Sequence, residues 1–425
     1  MNISKPRGTN DFLPPESSKI LAIEQKLREL CAIYNYQEIR TPIFEDTELF
    51  VRGVGNATDI VQKEMYTFLD QGERSLTLRP ENTAAACRAY IENKLYGLAQ
   101  PVKLFYIGPM FRYERPQAGR FRQFHQFGLE LFGSAEPAAD AEIISFAWRF
   151  YQQLGIRDLN LRINSVGCPN CRAAYKRALQ DYFRPHLAAL CGSCRDRFER
   201  NPLRLLDCKS QHCHDIGNNA PQIYDYLCGD CSAHFAQLKT LLDAASLPYA
   251  LDWRMVRGLD YYTKTAFEIE AKQIGAQSAV CGGGRYDGLI EEIGGAPTPA
   301  VGFALGIERI FTALKAQGDD IDVEQGVEVF LISHDNDCKP AAFRLCEQLR
   351  AAGFSADMEY GSKSLKAQMK AADRMQAAYT LIIGGDELLR GEAVLRNMDK
   401  SEQITLPVDN IVSHLLRIKN SSDKE

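Results

Sequence analysis

The sequence predicts an α+β protein of more than one domain, and three features of the chain predict it. Residues 102–112 (VKLFYIGPMFR) and 123–132 (QFHQFGLELF) read as two strands joined by an arginine-rich loop, with helical spacing before and after them. Between about 165 and 245 the texture changes to paired cysteines and short helices, the mark of an inserted, mostly helical module. From 327 onward strand-like and helical segments alternate, as in a small α/β domain. At 425 residues the chain is also too long for one ordinary core, so two or three domains are expected.

Taken in order, residues 17–34 (SSKILAIEQKLRELCAIY) place apolar positions at helical spacing behind two serines that suit a cap. YQEIRTPIFED (36–46) is strand-like but broken by Pro42, which suits an edge or a bend. SLTLRPENTAAACRAYIENKL (75–95) reads as a strand, a turn at Arg79-Pro80 and a helix. After the hairpin, 138–154 returns to helical spacing. Strand signals resume beyond the cysteine module at AFEIEA (266–271) and SAVCGGGRYDG (278–288). A strand-to-helix join follows at VGFALGIERIFTALKAQ (301–317), and the acidic stretch at 317–326 marks a linker. Past the linker, VEVFLISH, SADMEY, YTLIIGG, EAVLRNM and QITLP supply strands between helices.

Hydrophobic residues at 45% and charged residues at 25% are the balance of a soluble globular protein. No run of about 18 apolar residues is present, so no membrane span is expected. The opening MNISKPRGTNDFLPPES lacks an apolar leader stretch, which makes a cytoplasmic location the expectation. A net charge of −5 and a pI near 5.9 argue against a nonspecific nucleic-acid coat, though not against a local basic site.

Such a site stands out at MFRYERPQAGRFRQFHQFGLELFG (110–133). Arg112, Arg115, Arg120 and Arg122 crowd one turn and repel one another, so a negative ligand belongs between them. Alternation along the following strand puts Gln126, Gly128 and Glu130 on one face and His125, Phe127, Leu129 and Leu131 on a core face. A polar face with glycine at its middle leaves room for a small ligand near the backbone. Arg112 and Arg120 can grip phosphate in forked geometry. The plain alternative for the loop by itself is a solvated basic hairpin. VRGLDYYTKTAFEIE (256–270) sets Arg257 before a glycine, an acid and two tyrosines, and Arg309 falls in the opening turn of the helix in GFALGIERI. Asp260, Tyr261 and Tyr262 would equally suit a packed, hydrogen-bonded strand end. The glycines of CGGGRYDG permit close backbone approach, or form a plain turn.

Together these segments resemble the histidyl-tRNA synthetase family of class II aminoacyl-tRNA synthetases along essentially the whole chain. RGTNDFLP (7–14) looks like the family's opening stretch, and YQEIRTPIFE (36–45) like its first class-defining motif. FRYERPQAGRFRQFHQFGLELFG (111–133) is similar to the second motif and ALGIERI (304–310) to the third. The two histidine-specific signatures are similar to VRGLDYYT (256–263) and AVCGGGRYDG (279–288), in the family's order.

The resemblance implies a class II antiparallel sheet of six or seven strands with flanking helices, and a homodimer joined through the first motif. It makes 1–164 and 246–320 the catalytic domain, 165–245 an inserted Cys-rich domain and 327–425 an α/β anticodon-binding domain. It implies that ATP, with Mg²⁺ on its outer phosphates, and L-histidine form histidyl-adenylate and pyrophosphate. Histidine then passes to the 3′ end of tRNA(His). By the same resemblance Glu81, Asn82 and Thr83 of RPENTA hold the amino acid with Gln126, Glu130 and Arg257. Tyr261 and Tyr262 line the side-chain pocket. Arg112 and Arg257 take the α-phosphate from two sides as the catalytic pair, Arg120 and Arg309 take the outer phosphates, and Gln126 also faces the nucleotide.

Eight of the 13 cysteines fall between Cys168 and Cys231, as Cys168-x2-Cys171, Cys191-x2-Cys194, Cys208-x4-Cys213 and Cys228-x2-Cys231. In a reducing compartment these spacings favour metal or structural thiols over disulfides, and tetrahedral zinc is the candidate. His212 and His214 stand beside Cys213 as further candidate ligands, and sequence order leaves open which pairs share an ion. Buried packing thiols are the alternative.

Two other functions compete with the ligase reading. One is a catalytically silent relative of the synthetase, the regulatory subunit of ATP phosphoribosyltransferase, which lacks the anticodon-binding domain. The other is a zinc-dependent nucleic-acid-binding or redox-sensing protein, which would leave the arginine hairpin and RGLDYY unexplained.

Overall fold

The computed structural model describes residues 3–55, 58–116, 119–256, 259, 261–323 and 326–422. The chain divides into two compact units, Met1–Ile321 and Asp322–Glu425.

The first unit opens with α1 (Glu16–Ile33), whose buried Ile23, Leu27, Leu30 and Cys31 form one stripe at helical spacing. The serines expected to cap it do not. Pro15 precedes the helix, no side chain caps it, and the Ser17 amide already donates to the Leu13 carbonyl at 3.1 Å. Proline suits this place because a helix start has no partner for its N–H.

Short strands β1 (Gln37–Glu38) and β2 (Phe44–Asp46) follow, then α2 (Thr47–Val54), β3 (Tyr66–Leu69) and β4 (Ser75–Leu78). Strands β2, β4 and β3 make a small antiparallel sheet beside α3 (Thr83–Glu92). The predicted hairpin is β5 (Val102–Phe111) and β6 (Gln123–Phe132), paired antiparallel along its length. Next come α4 (Pro137–Gln153) and β7 (Leu159–Gly167). The cysteine-rich module then contributes α5 (Pro169–Phe183), α6 (Gly192–Arg200), α7 (Gln211–Ile216) and α8 (Gly229–Ala244). The unit closes with β8 (Ala250–Leu251), β9 (Thr263–Ala271), β10 (Ala279–Arg285), α9 (Leu289–Glu292), β11 (Ala300–Gly306) and α10 (Ile307–Ala316).

The main sheet runs β1-β5-β6-β11-β10-β9-β7-β8. The six inner strands are antiparallel, as the resemblance implies. The count of eight exceeds the expected six or seven because two-residue strands β1 and β8 add themselves in parallel at the two edges. One face of the sheet is closed by α4: Phe127 of β6 stacks on Phe146 at 5.8 Å, and Ile143, Ala147 and Phe150 are fully buried. Each such large apolar side chain contributes about 1.5–3 kcal/mol by burial. With α4 covering that side, the opposite face of β6 is the one left for polar groups.

The inserted module has its own core, with Tyr175, Leu179, Phe183, Leu190, Phe198 and Ile223 buried together.

In the second unit the order is β12 (Val329–Ser333), α11 (Lys339–Ala351), β13 (Ala356–Met358), α12 (Leu365–Arg374), β14 (Tyr379–Ile383), α13 (Gly385–Leu389), β15 (Glu392–Asn397), β16 (Gln403–Pro407) and α14 (Ile411–Ser422). Its sheet runs β13-β12-β14-β15-β16, parallel in the first three strands and antiparallel beyond. Val329, Leu331, Leu345, Leu349, Leu381 and Leu415 fill its core. Among the described residues no helix is long and apolar enough to cross a membrane.

Candidate active site

Strand β6 carries Gln126 and Glu130 on the face turned away from α4, as alternation predicts. Glu130 is only 1% exposed, and among the described residues it has no cationic partner. Instead the hydroxyls of Thr83 and Tyr106 donate to its Oε1 at 2.8 and 3.2 Å, and Tyr286 donates to Oε2. Burial pushes the Glu130 carboxyl up to about 8, with the Tyr286 and Thr83 hydroxyls pulling the other way. Two glycines make the room. A Cβ on Gly302, directly across from Glu130 in the ladder, would meet the carboxylate, and one on Gly128 would strike the Tyr106 ring.

Glu81 lies in the turn before α3 and is nearly buried. Its two oxygens accept from the Thr83 and Ala84 amides at 2.7 and 3.0 Å, so it satisfies helix-start donors that no other side chain caps. Burial raises its pKa and those amides oppose the rise. Asn82 does not line the cleft: its Oδ1 accepts from Thr41 at 2.7 Å and Arg79 at 3.2 Å, which ties the turn together. Tyr261 and Tyr262 are nearly buried with their rings 4.7 Å apart, and Tyr261 meets Tyr286 edge-on at 5.6 Å.

Glu81, Thr83, Gln126, Tyr261 and Tyr262 line one cleft of about 690 Å³, together with Arg112 and Arg120. A smaller pocket of about 200 Å³ shares Arg112, Arg120 and Gln126 with it and adds Arg309. Arg112 is held by its Nε–H to the Pro80 carbonyl at 2.8 Å, and Arg309 by its own to Ala279 at 2.7 Å. Arg120 donates to Glu114 at 3.2 Å. Burial, and then the nearby Arg120 guanidinium, lower the pKa of Arg309. Like charges thus converge on the pocket, where an anion would relieve them. The oxygen of the Gln126 amide is buried without a partner among the described residues. An orphan acceptor costs about 1–3 kcal/mol, which a ligand donor would offset.

The four hairpin arginines do not act together as expected. Arg115 is exposed and does not line the cleft, while Arg122 stacks over Tyr113 at 3.9 Å and reaches back to the Glu114 and Arg7 carbonyls. Arg122 therefore fastens the RGTNDFLP segment, a role that repulsion arguments could not separate from ligand binding. Arg257 and Asp260 lie outside the described residues.

Sequence reasoning missed Tyr106, Tyr286 and Glu268, the last of which lines both spaces. The available signal was the hairpin register, which pairs Tyr106 with Gly128. It also did not foresee that Arg285 of CGGGRYDG is fully buried and bonded to Asp140 of α4, with His234 of α8 at 3.4 Å on the same carboxylate.

All 13 cysteines are free thiols, and the eight of the insert form two groups. Cys168 and Cys171 join Cys228 and Cys231, while Cys191 and Cys194 join Cys208 and Cys213. Neither His212 nor His214 belongs to a group; the His214 Nε2 is 2.8 Å from Arg254 Nη1.

The family described as histidyl-tRNA synthetase matches residues 8–310, and the anticodon binding domain family matches 327–418. The histidine–tRNA ligase of Pelotomaculum thermopropionicum is 57% identical over 98% of this chain and 98% of its own length. That of Desulforamulus reducens is 54% identical over 97% and 98% respectively. The crystal structure of apo S. aureus histidyl-tRNA synthetase, 41% identical, superposes with a TM-score of 0.84 and covers 97% of this chain and 99% of that one.

Proposed function

The chain belongs to the histidyl-tRNA synthetase family and joins histidine to tRNA, and on that premise we propose how its residues divide the work. The fold is that of a class II synthetase with a C-terminal anticodon-binding domain, and the activity takes ATP with Mg²⁺, histidine and tRNA.

The observation that carries the division is a buried acid, Glu130, with no cationic partner among the described residues, near a pocket on which Arg112, Arg120 and Arg309 converge. Glu81, Thr83 and Gln126, which line the cleft, and Glu130, bonded behind them to Thr83, Tyr106 and Tyr286, receive the α-ammonium and imidazole N–H of L-histidine, because a buried carboxylate favours a cationic or strongly donating partner. Tyr261 and Tyr262 wall the imidazole, and Asn82 supports the turn. Arg112 faces the α-phosphate, Arg120 and Arg309 face the outer phosphates, and Gln126 stands between the two ligands; the family resemblance alone assigns Arg257 to the α-phosphate and to histidine.

The histidine carboxylate attacks the α-phosphorus in line and pyrophosphate leaves, so the protein supplies positioning and charge neutralisation rather than a nucleophile. Glu114 and Glu268 line the smaller pocket, ion-paired to Arg120 and Arg162, and would supply oxygen ligands to a magnesium ion on the outer phosphates, where it would neutralise charge.

The same reading makes 1–164 with 246–320 the catalytic domain, 165–245 the insert and 327–425 the tRNA(His) anticodon reader. The enzyme is then a cytoplasmic homodimer joined through YQEIRTPIFE, with structural zinc in the insert. ATP–pyrophosphate exchange that requires histidine, and no other amino acid, is the expected result. Exchange indifferent to histidine would refute the reading.

A further inference from the structure

We propose that the insert holds two zinc ions, each in four thiolates, and that the second ion fixes part of the cleft wall. Cys168, Cys171, Cys228 and Cys231 form the first site, and Cys191, Cys194, Cys208 and Cys213 the second. The inference rests on the reading of the insert as a zinc module and adds the pairing, the count and the task.

Within each group all four sulfurs lie within 4.8 Å of one another. Cys168 Sγ is 3.5 Å from Cys171 Sγ and 4.0 Å from Cys228 Sγ, and Cys191 Sγ is 3.8 Å from Cys208 Sγ. A tetrahedron with Zn–S near 2.3 Å places its sulfurs about 3.8 Å apart. A disulfide would need about 2.05 Å. Three of the pairs open helices in the same way: Cys168, Cys191 and Cys228 precede α5, α6 and α8, and Cys171, Cys194 and Cys231 sit in their first turns. Helix starts favour thiolates. The Cys228 and Cys191 amides donate to Cys171 and Cys213 sulfurs at 3.1 and 3.2 Å, the outer support that metal thiolates use.

Packing alone does not account for the groups. Cys228 is exposed and Cys168, Cys191 and Cys208 are only half-buried, whereas the five cysteines elsewhere are all buried and belong to neither group.

The first site ties the end of β7 to the start of α8 and so closes the insert at its root. At the second, Cys208 and Cys213 bracket a short segment, and Leu206, Asp207, Cys208, Lys209 and His214 line the cleft that also holds Glu81 and Arg112. The second ion would hold that wall in place.

The test is elemental analysis of full-length protein purified without added zinc, with release followed as the thiols are titrated by an organomercurial. Two zinc ions per chain are expected, with a cobalt(II) form showing the thiolate charge-transfer bands of tetrahedral sites. Cys208→Ser with Cys213→Ser should keep one ion and lose histidine activation. Cys168→Ser with Cys171→Ser should keep the other ion, and Cys346→Ala should keep both. If the variants do not fold, the wild-type count and cobalt spectrum still decide. Zinc near zero in protein with full histidine-dependent exchange would overturn the proposal and leave the synthetase reading intact. Two ions without such exchange would do the reverse. A single ion, or loss of both ions in each double variant while it remains folded, would refute two separate sites. Unchanged activation after loss of the second ion would refute its task at the wall.

Discussion

A Cβ on Gly302 would fall 1.9 Å from Oε2 of Glu130, so the carboxylate occupies space that a side chain at 302 would take. The same Cβ would press the Leu129 carbonyl at 2.5 Å, which is backbone and cannot swing aside. Gly302→Ala should therefore cost about 1–3 kcal/mol of stability, the usual cost of overpacking. It should also raise the Michaelis constant for histidine more than that for ATP. Denaturant unfolding and pyrophosphate exchange check the two parts separately.

Histidine binding should release a proton. In the free protein the Glu130 carboxyl titrates at about 8, so at pH 7 it is mostly protonated, and an arriving ammonium favours the carboxylate. Up to about one proton should leave, read by calorimetry in buffers of different ionisation heat, and Glu130→Gln should abolish that difference. The native state holds the extra proton between the ordinary carboxyl value and about 8, so this contribution to stability is full below that window and is lost as pH rises through it.

Arg285 and Asp140 are both fully buried, and the pair clamps β10 to α4. Burial and then Asp140 act on Arg285 in opposite directions, and the net effect holds the guanidinium charged. Arg285→Ala should cost about 3–5 kcal/mol because it leaves the buried Asp140 carboxylate with only His234, at 3.4 Å, as a cationic partner. Thermal unfolding measures it. A loss of activity without loss of stability would assign Arg285 to the chemistry instead.

Much of this was legible in the chain because alternation, helical spacing and turn residues are local. The hairpin at 102–132 emerged with nearly its expected bounds, and the polar face of β6 carried Gln126 and Glu130 as read. What escaped was set by long-range packing. Nothing local tells Arg122, which holds residues 7 and 8, from Arg120, which lines the cleft. Tyr286 reaches Glu130 from 156 positions away, and the cysteine groups pair across 57 residues or more at the first site.

Removing residues 327–425 should leave histidine activation partly intact while crippling tRNA charging. Every arginine assigned to phosphate precedes 317–326, and Asp322–Glu425 forms its own compact unit. Exchange and charging assays on the folded truncation make the comparison, and equal loss of both would refute the separation of roles.

On this division of roles, Glu130 binds histidine in the ground state while the arginines act on the phosphates. Pyrophosphate exchange with histidine and ATP varied independently separates the two roles. Glu130→Ala should raise the Michaelis constant for histidine and leave that for ATP nearly unchanged. Arg257→Ala should instead depress turnover by roughly a hundred- to a thousandfold, or about 3–4 kcal/mol, since the α-phosphate role assigned to it by the resemblance serves the transition state. Arg257→Lys should restore only part, because an ammonium lacks the forked contact. If Arg257→Ala kept its turnover and merely weakened histidine, or Glu130→Ala weakened ATP alone, the assignment would be contradicted.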